Sequence, residues 1–304
     1  MQTQMQSQSP VINAPSIASS AVFIDLSISS WTGRKLDKRA STSITDQANA
    51  ARGVANVSKK LLGDCAELDA VNKFAANARN VHYGMTMPWS DLGLRICPLP
   101  VYMNKYESTM GTLQTEFATL VKTFLDAYDW EIQNAQLRLG SLFNADEYPT
   151  RDSLESKFKF RFVAMPMADA GDWRLDIGNE AQAVMKSQYE TFYNEQLNKA
   201  MGDVWRRAHD ALTKMSERLD YADHETKKVF RDSLVGNVQD IVEMMGACNL
   251  TNDPVMADAE RRLSEALRGV TPDALREDAY LRAETRRQVN EVKRVIDNLP
   301  SLGF

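Results

Sequence analysis

The residues whose types and spacing best suit chemistry form one short run, KFKFRF, from Lys157 to Phe162. Three cations alternate with three phenylalanines. Lys157, Lys159 and Arg161 have the types that grip nucleic-acid phosphates while aromatic rings stack on bases. They equally suit an acidic protein surface. Strand geometry decides between the two. Successive side chains on a strand point to opposite faces, so the phenylalanines share one face and the cations the other. A base-stacking platform wants both on one accessible face. Burying three phenylalanines is worth several kcal/mol in total, at about 2 kcal/mol each. The run therefore reads as a strand with an inward aromatic face and an outward cation row able to meet an acidic partner.

Other clusters read as structure. Asp152, Glu155 and Lys157 have the types of a metal-dependent nuclease, in which two acids hold Mg²⁺ and a lysine steadies the hydrolytic water. That chemistry wants the Glu-x-Lys pair on a strand of a mixed sheet, whereas Glu155 precedes the strand. DYADHE, Asp220–Glu225, reads as the end of one helix and an Asp223 cap with acids in the next first turn, not as ligands converging on a metal. His82 and His209 stand alone. Cys65, Cys97 and Cys248 are odd in number and far apart, which argues against a disulfide framework or a CxxC zinc site and fits a reducing compartment. Among small helical residues they read as core packing. No Gly-rich phosphate loop, nucleophile elbow or HExxH is present. No catalytic, cofactor-binding or metal-ligating residue is assigned, no cofactor is expected, and the chain reads as a non-enzyme.

These residues need elements to position them. AVFIDLSIS (Ala21–Ser29) alternates as a half-buried strand. Thr45 or Asp46 is expected to cap a helix running to about Tyr83, with a break near Gly63. TMPWSDLGLRICPLP (Thr86–Pro100) carries three prolines and a glycine, which forbid a continuous helix. This loop presents Trp89 and Arg95, types preferred as interface anchors, although Trp89 equally suits sealing a core. From Tyr102 to Leu142 the apolar positions recur at a mean spacing of about 3.6 residues, the α-helical period, predicting a rod roughly 60 Å long. A second such stripe runs from Asn179 to Leu219. Two stripes of this length are expected to pack against each other as an antiparallel hairpin. Between them, a short helix after Thr150 or Asp152, the KFKFRF strand and WRLDI (Trp173–Ile177) predict a β-hairpin that the Ala21–Ser29 strand can join. Helices are expected from His224 to Met245, from Pro254 to Leu267, and from Thr271 to about Leu299, the last two laced with Arg–acid pairs.

The expected fold class is mainly α (α+β): a long antiparallel helical hairpin, a small antiparallel sheet and a C-terminal helical segment. The expected segments are a disordered tail at 1–20, a strand, helix and loop at 21–100, the hairpin at 101–220 with its β insertion at 145–178, and helices at 221–304. At 304 residues and a net charge of −5, the chain lacks the basic excess of an electrostatic nucleic-acid binder. It has no membrane-spanning run and no secretion signal, so a cytoplasmic location is expected.

Three stretches carry a resemblance: KKLL at Lys59–Leu62, TMPWSDLGLRICP at Thr86–Pro98, and LGSLFNADEYPTRDSLESKFKF followed by AGDWRLD between Leu139 and Asp176. Over roughly residues 20–220 the chain resembles a family of helical proteins of unknown function carried by tailed phages and conjugative elements. Genes of that family lie near a MoxR-type AAA+ ATPase, similar to a cobaltochelatase subunit, and near a von Willebrand A-domain protein. The resemblance implies a host-cytoplasmic accessory that binds proteins, with the AAA+ ATPase as partner and scope for self-assembly. It carries over no enzymatic residue. The candidate partner-binding set is Trp89, Arg95, Lys157, Lys159, Arg161 and Trp173. The rival readings are a nucleic-acid-binding factor and a metal-dependent nuclease.

Overall fold

The structure is a computed structural model describing residues 19–51, 53–91, 93–167, 179–221 and 233–299. It divides into two units, each assembled from separate stretches of chain: Met1–Asp25, Met85–Lys105 and Ala164–Phe304 in the first, Leu26–Gly84 and Tyr106–Val163 in the second.

The fold is mainly helical, with a small antiparallel sheet, a two-stranded ribbon and a C-terminal helical segment. Strand β1 (Ala21–Ser29) keeps the boundaries its alternation predicts. The ribbon joins β2 (Arg34–Leu36) to β3 (Ser58–Lys60), pairing Arg34 with Lys60 and Lys35 with Lys59. Between them lies α1 (Lys38–Gln47), capped by the Asp37 side chain, which accepts from the Ala40 N–H. Helix α2 (Ala66–Met85) follows. The helix expected from Thr45 to about Tyr83 with a break near Gly63 is two helices flanking a strand, the second starting just after Gly63. Thr45 lies inside α1, its hydroxyl donating to the Ser41 carbonyl at 2.6 Å, rather than at a cap. Asn49, Gly53 and Gly63 take φ of 48°, 87° and 64°, a left-handed region in which a right-handed helix cannot run.

The proline-rich loop is itself a small hairpin: β4 (Met87–Pro88) pairs with β5 (Arg95–Pro98), which pairs antiparallel with β1 from Ala21↔Pro98 to Ile24↔Arg95. From Leu99 the backbone stays helical to Leu142, through a π turn at Tyr102–Tyr106, helix α3 (Glu107–Leu139) and a 3₁₀ turn at Gly140–Leu142. The short helix α4 (Arg151–Glu155) is capped by the Thr150 hydroxyl. Strand β6 (Lys159–Pro166) completes the sheet order β4-β5-β1-β6, so β1 and KFKFRF lie side by side as anticipated. The second strand expected at Trp173–Ile177 and the Asp223 cap lie outside the described residues.

Helix α5 spans Asn179–Leu219, the full predicted rod. Helices α6 (Ser233–Cys248), α7 (Pro254–Ala266), α8 (Pro272–Glu277) and α9 (Ala279–Asp297) follow. The expected last helix is divided at Asp278, which leaves helical geometry (φ −104°, ψ 105°) and caps α9 by accepting from the Leu281 N–H. Each long rod is covered within its own unit. In the first unit α5 packs on α6 and α9, burying Leu197, Val204, Leu212 and Met215 against Val238, Met245, Val289 and Val292. In the second unit α3 turns Phe117, Phe124 and Tyr128 onto Leu68, Val71 and Ala75 of α2. A 3.6-residue stripe states that a helix must be covered; it does not name what covers it.

Candidate functional site

In the second unit KFKFRF is held by a ladder of rings. Phe158 stacks on Phe124, Phe160 on Phe117 and Phe162 on Tyr106, with centroids 5.7, 5.6 and 6.0 Å apart. Each pair lies within the range at which aromatic rings attract beyond their area burial. Gln114 adds a polar pin from α3, its Nε2 donating to the Phe160 carbonyl at 2.7 Å. At the entrance to the strand the Ser29 hydroxyl donates to the Lys157 carbonyl at 2.9 Å. The strand is fixed on one face by three rings and along its backbone by side chains from two other elements.

That fixation sets the electrostatics of the other face. Lys157, Lys159 and Arg161 alternate with the half-buried rings and are exposed. Beside the strand, α3, α4 and β6 enclose a groove of about 460 Å³ floored by Phe117, Val121, Leu125, Phe158 and Phe160. On its rim Asp126 takes Lys122 at 2.6 Å and Arg151 at 2.7 Å. Those two cations hold the Asp126 carboxyl below its usual range. The groove thus has an apolar floor between charged rim residues, and Lys157, Lys159 and Arg161 are exposed beside it.

The remaining candidates lie elsewhere. Trp89 is 5% exposed, in the first unit, with Phe23 and Tyr193 rings each 5.1 Å from its own. Arg95 is turned inward, its Nε donating to the Thr86 hydroxyl at 2.7 Å and its Nη2 to the Thr86 carbonyl at 2.8 Å. Trp173 lies outside the described residues. Of the partner-binding set, the structure places Lys159 and Arg161 on β6, while Lys157, expected at the strand's start, lies in the turn before it, its N–H donating to the Leu154 carbonyl at 3.0 Å. Asp152 and Glu155 belong to α4 and precede the strand, as the nuclease geometry does not want.

His82 is buried, its Nδ1 2.8 Å from the Tyr106 hydroxyl. The three cysteines are buried thiols. Burial pushes Cys97 and Cys248 up to about 12 and Cys65 up to about 11, so none is a thiolate at neutral pH. Among the described residues one group of metal-ligating side chains converges, Cys65 with Glu67 and Glu131. The sequence carried a signal for it: Glu131 occupies a buried position of the α3 stripe, three residues after Tyr128 and four before Ala135. No family model, curated protein or solved structure matches the chain. Among the described residues no helix is long and apolar enough to cross a membrane.

Proposed function

We propose that this protein works by binding another protein, as a non-enzymatic adaptor whose contact surface is the cation row Lys157, Lys159 and Arg161 at the start of β6. One observation carries the reading: Lys159 and Arg161 of β6, with Lys157 in the turn before it, are exposed, while the alternating Phe158, Phe160 and Phe162 are packed against Phe124 and Phe117 of α3 and Tyr106 of the turn before it. A rigid backbone lowers the ordering cost of binding, and a row of like charge selects a partner of opposite charge. The occupant is an acidic surface of a folded protein. The sequence resemblance supports a MoxR-type AAA+ ATPase in that place, in the cytoplasm of a host cell, with self-assembly as a further property of the same accessory.

Nucleic acid is the weaker fit to this face. Its rings are spent on α3 and unavailable to bases, so phosphate contacts alone would have to supply affinity.

The test is titration of the purified protein against the candidate ATPase by calorimetry, with Lys157→Glu/Lys159→Glu as the charge-reversed variant. Binding that weakens with salt and is lost in the variant supports the reading. Binding that ignores both salt and charge reversal overturns it. A gel shift with single-stranded DNA at low salt, abolished by the same variant, would move the assignment to the nucleic-acid reading.

A further inference from the structure

Glu131 contradicts the helix that carries it. Its side chain is 5% exposed, and its Oε2 is buried without a hydrogen-bond partner. The Arg138 guanidinium stands 3.7 Å from that oxygen, beyond hydrogen-bonding range. Arg138 spends Nη1 instead on the carbonyls of Leu62 at 3.3 Å and Asp64 at 3.1 Å. A carboxylate taken out of water needs closer compensation than this.

Two more ligand types face it within the same unit. Cys65 stands at the N-terminus of α2 and Glu67 in its first turn. One ligand atom from each of Cys65, Glu67 and Glu131 lies within 4.8 Å of the other two. Cys65 Sγ and Glu67 Oε2 are 3.6 Å apart. Tetrahedral zinc, with its sulfur ligand at about 2.3 Å and its oxygen ligand at about 2.0 Å, sets the two ligand atoms about 3.5 Å apart. The Cys65 thiol donates to Glu67 Oε2 at 3.6 Å, a spacing an ion replacing the thiol proton would keep, and the Glu131 carboxylate offers a third corner from another helix.

We propose that Cys65, Glu67 and Glu131 hold a divalent transition-metal ion, zinc by chemical preference, with the fourth position open to water. The thiolate excludes the hard cations Mg²⁺ and Ca²⁺, and the two carboxylates suit zinc better than a purely thiophilic metal. Charge agrees: a dication and the Arg138 guanidinium together match three anionic ligands. Without an ion Cys65 is a thiol, raised to about 11 chiefly by burial, and the Leu68 backbone N–H only partly opposes this, so the ion itself must displace the proton. On binding, a sulfur–metal bond forms, the thiol proton leaves to water, and nothing is oxidised or reduced. Glu67 is half-exposed and gives the ion its way in. The site joins the start of α2 to the middle of α3.

The test uses full-length protein stripped with a chelator and titrated with Zn²⁺ or Co²⁺. Cobalt reports its ligands directly, because thiolate–cobalt charge transfer absorbs in the near ultraviolet. The expected result is one equivalent bound, that absorption present, and a higher thermal midpoint with zinc. Cys65→Ser loses the absorption; Cys97→Ala/Cys248→Ala keeps it. Glu131→Gln weakens binding by at least the ~10–100-fold that loss of an outer-shell partner costs a metal site. Should Glu131→Gln not fold, Glu67→Gln at its more exposed position makes the same measurement. Absence of stoichiometric cobalt binding, absorption surviving Cys65→Ser, or unchanged affinity in the glutamine variants overturns the proposal.

Discussion

The ring of Phe160 lies 5.6 Å from the ring of Phe117, and this pair fixes which way KFKFRF faces. With Phe160 on α3, its neighbours Lys159 and Arg161 point outward by the geometry of a strand. The two faces should therefore answer differently to substitution. Phe160→Ala is expected to cost about 3 kcal/mol, the low end for truncating a buried phenylalanine, because Phe160 is only half-buried. Lys159→Ala, one residue away, should stay within about 0.5 kcal/mol. Urea midpoints measure both, and equal costs would mean the polarity of the strand is misassigned.

Lys59 staples the ribbon of β2 and β3 to the rest of its unit. Its ammonium is 2.6 Å from Glu147 Oε2 and 3.8 Å from Asp37 Oδ2, and it donates to the Leu142 carbonyl at 2.8 Å. Its side chain is 9% exposed, so this is a desolvated network. Lys59→Met strands the Glu147 carboxylate and should destabilise by about 3 kcal/mol, as breaking one side of a buried pair does. Lys60, the next residue, pairs with exposed Asp64 at 3.0 Å; Lys60→Met should cost no more than about 0.5 kcal/mol. Chemical denaturation of the two variants, side by side, gives the contrast.

What the sequence revealed depended on how local the determining physics is. Asn179–Leu219 and Ala21–Ser29 were legible because one uninterrupted period fixes each; the start at Pro254 was legible because proline is set for a helix's first turn, and Thr150, one of the two starts the sequence offered, is the cap of α4. The partners of the long stripes were not legible: α5 is covered by α6 and α9, which nothing in its own spacing names. The ribbon at Ser58–Lys60 is three residues long and polar, too short for an alternation to register. Of the candidate site, the cation row could be read from alternation alone. The inward turn of Arg95 could not, since it depends on Thr86 meeting it across the β4–β5 hairpin. Glu131 was hidden by its apolar neighbour Ile132, which satisfies the helical period nearly as well.

Tyr106 closes the π turn before α3, and its hydroxyl meets buried His82 at 2.8 Å. Tyr106→Phe keeps the ring against Phe162 and removes the hydroxyl that meets His82. A buried imidazole deprived of this contact should cost about 1–2 kcal/mol. Tyr106→Leu, which also loses the ring, should cost more. Thermal or urea unfolding of the two variants separates the hydrogen bond from the stacking.

Alkaline pH should weaken the fold by a route that follows from burial. Cys97 and Cys248 are raised from 9.0 to about 12, chiefly because burial penalises the thiolate. Tyr148 is raised from 10.0 to about 12 by burial and then by the neighbouring Glu147 charge. In the unfolded chain these groups lose their protons near the lower values, while the folded chain keeps them. Between the two, the folded state binds more protons, so stability falls as pH rises. The contribution of each thiol is complete below about pH 9 and drains away towards about pH 12, at up to ~1.4 kcal/mol per pH unit. Urea midpoints at about pH 8, 10 and 11 should therefore decline progressively, and Cys97→Ala/Cys248→Ala should flatten the decline. A midpoint that holds steady or rises across that window would show that these thiols ionise as readily in the folded chain as in the unfolded one, and that the core around them admits charge.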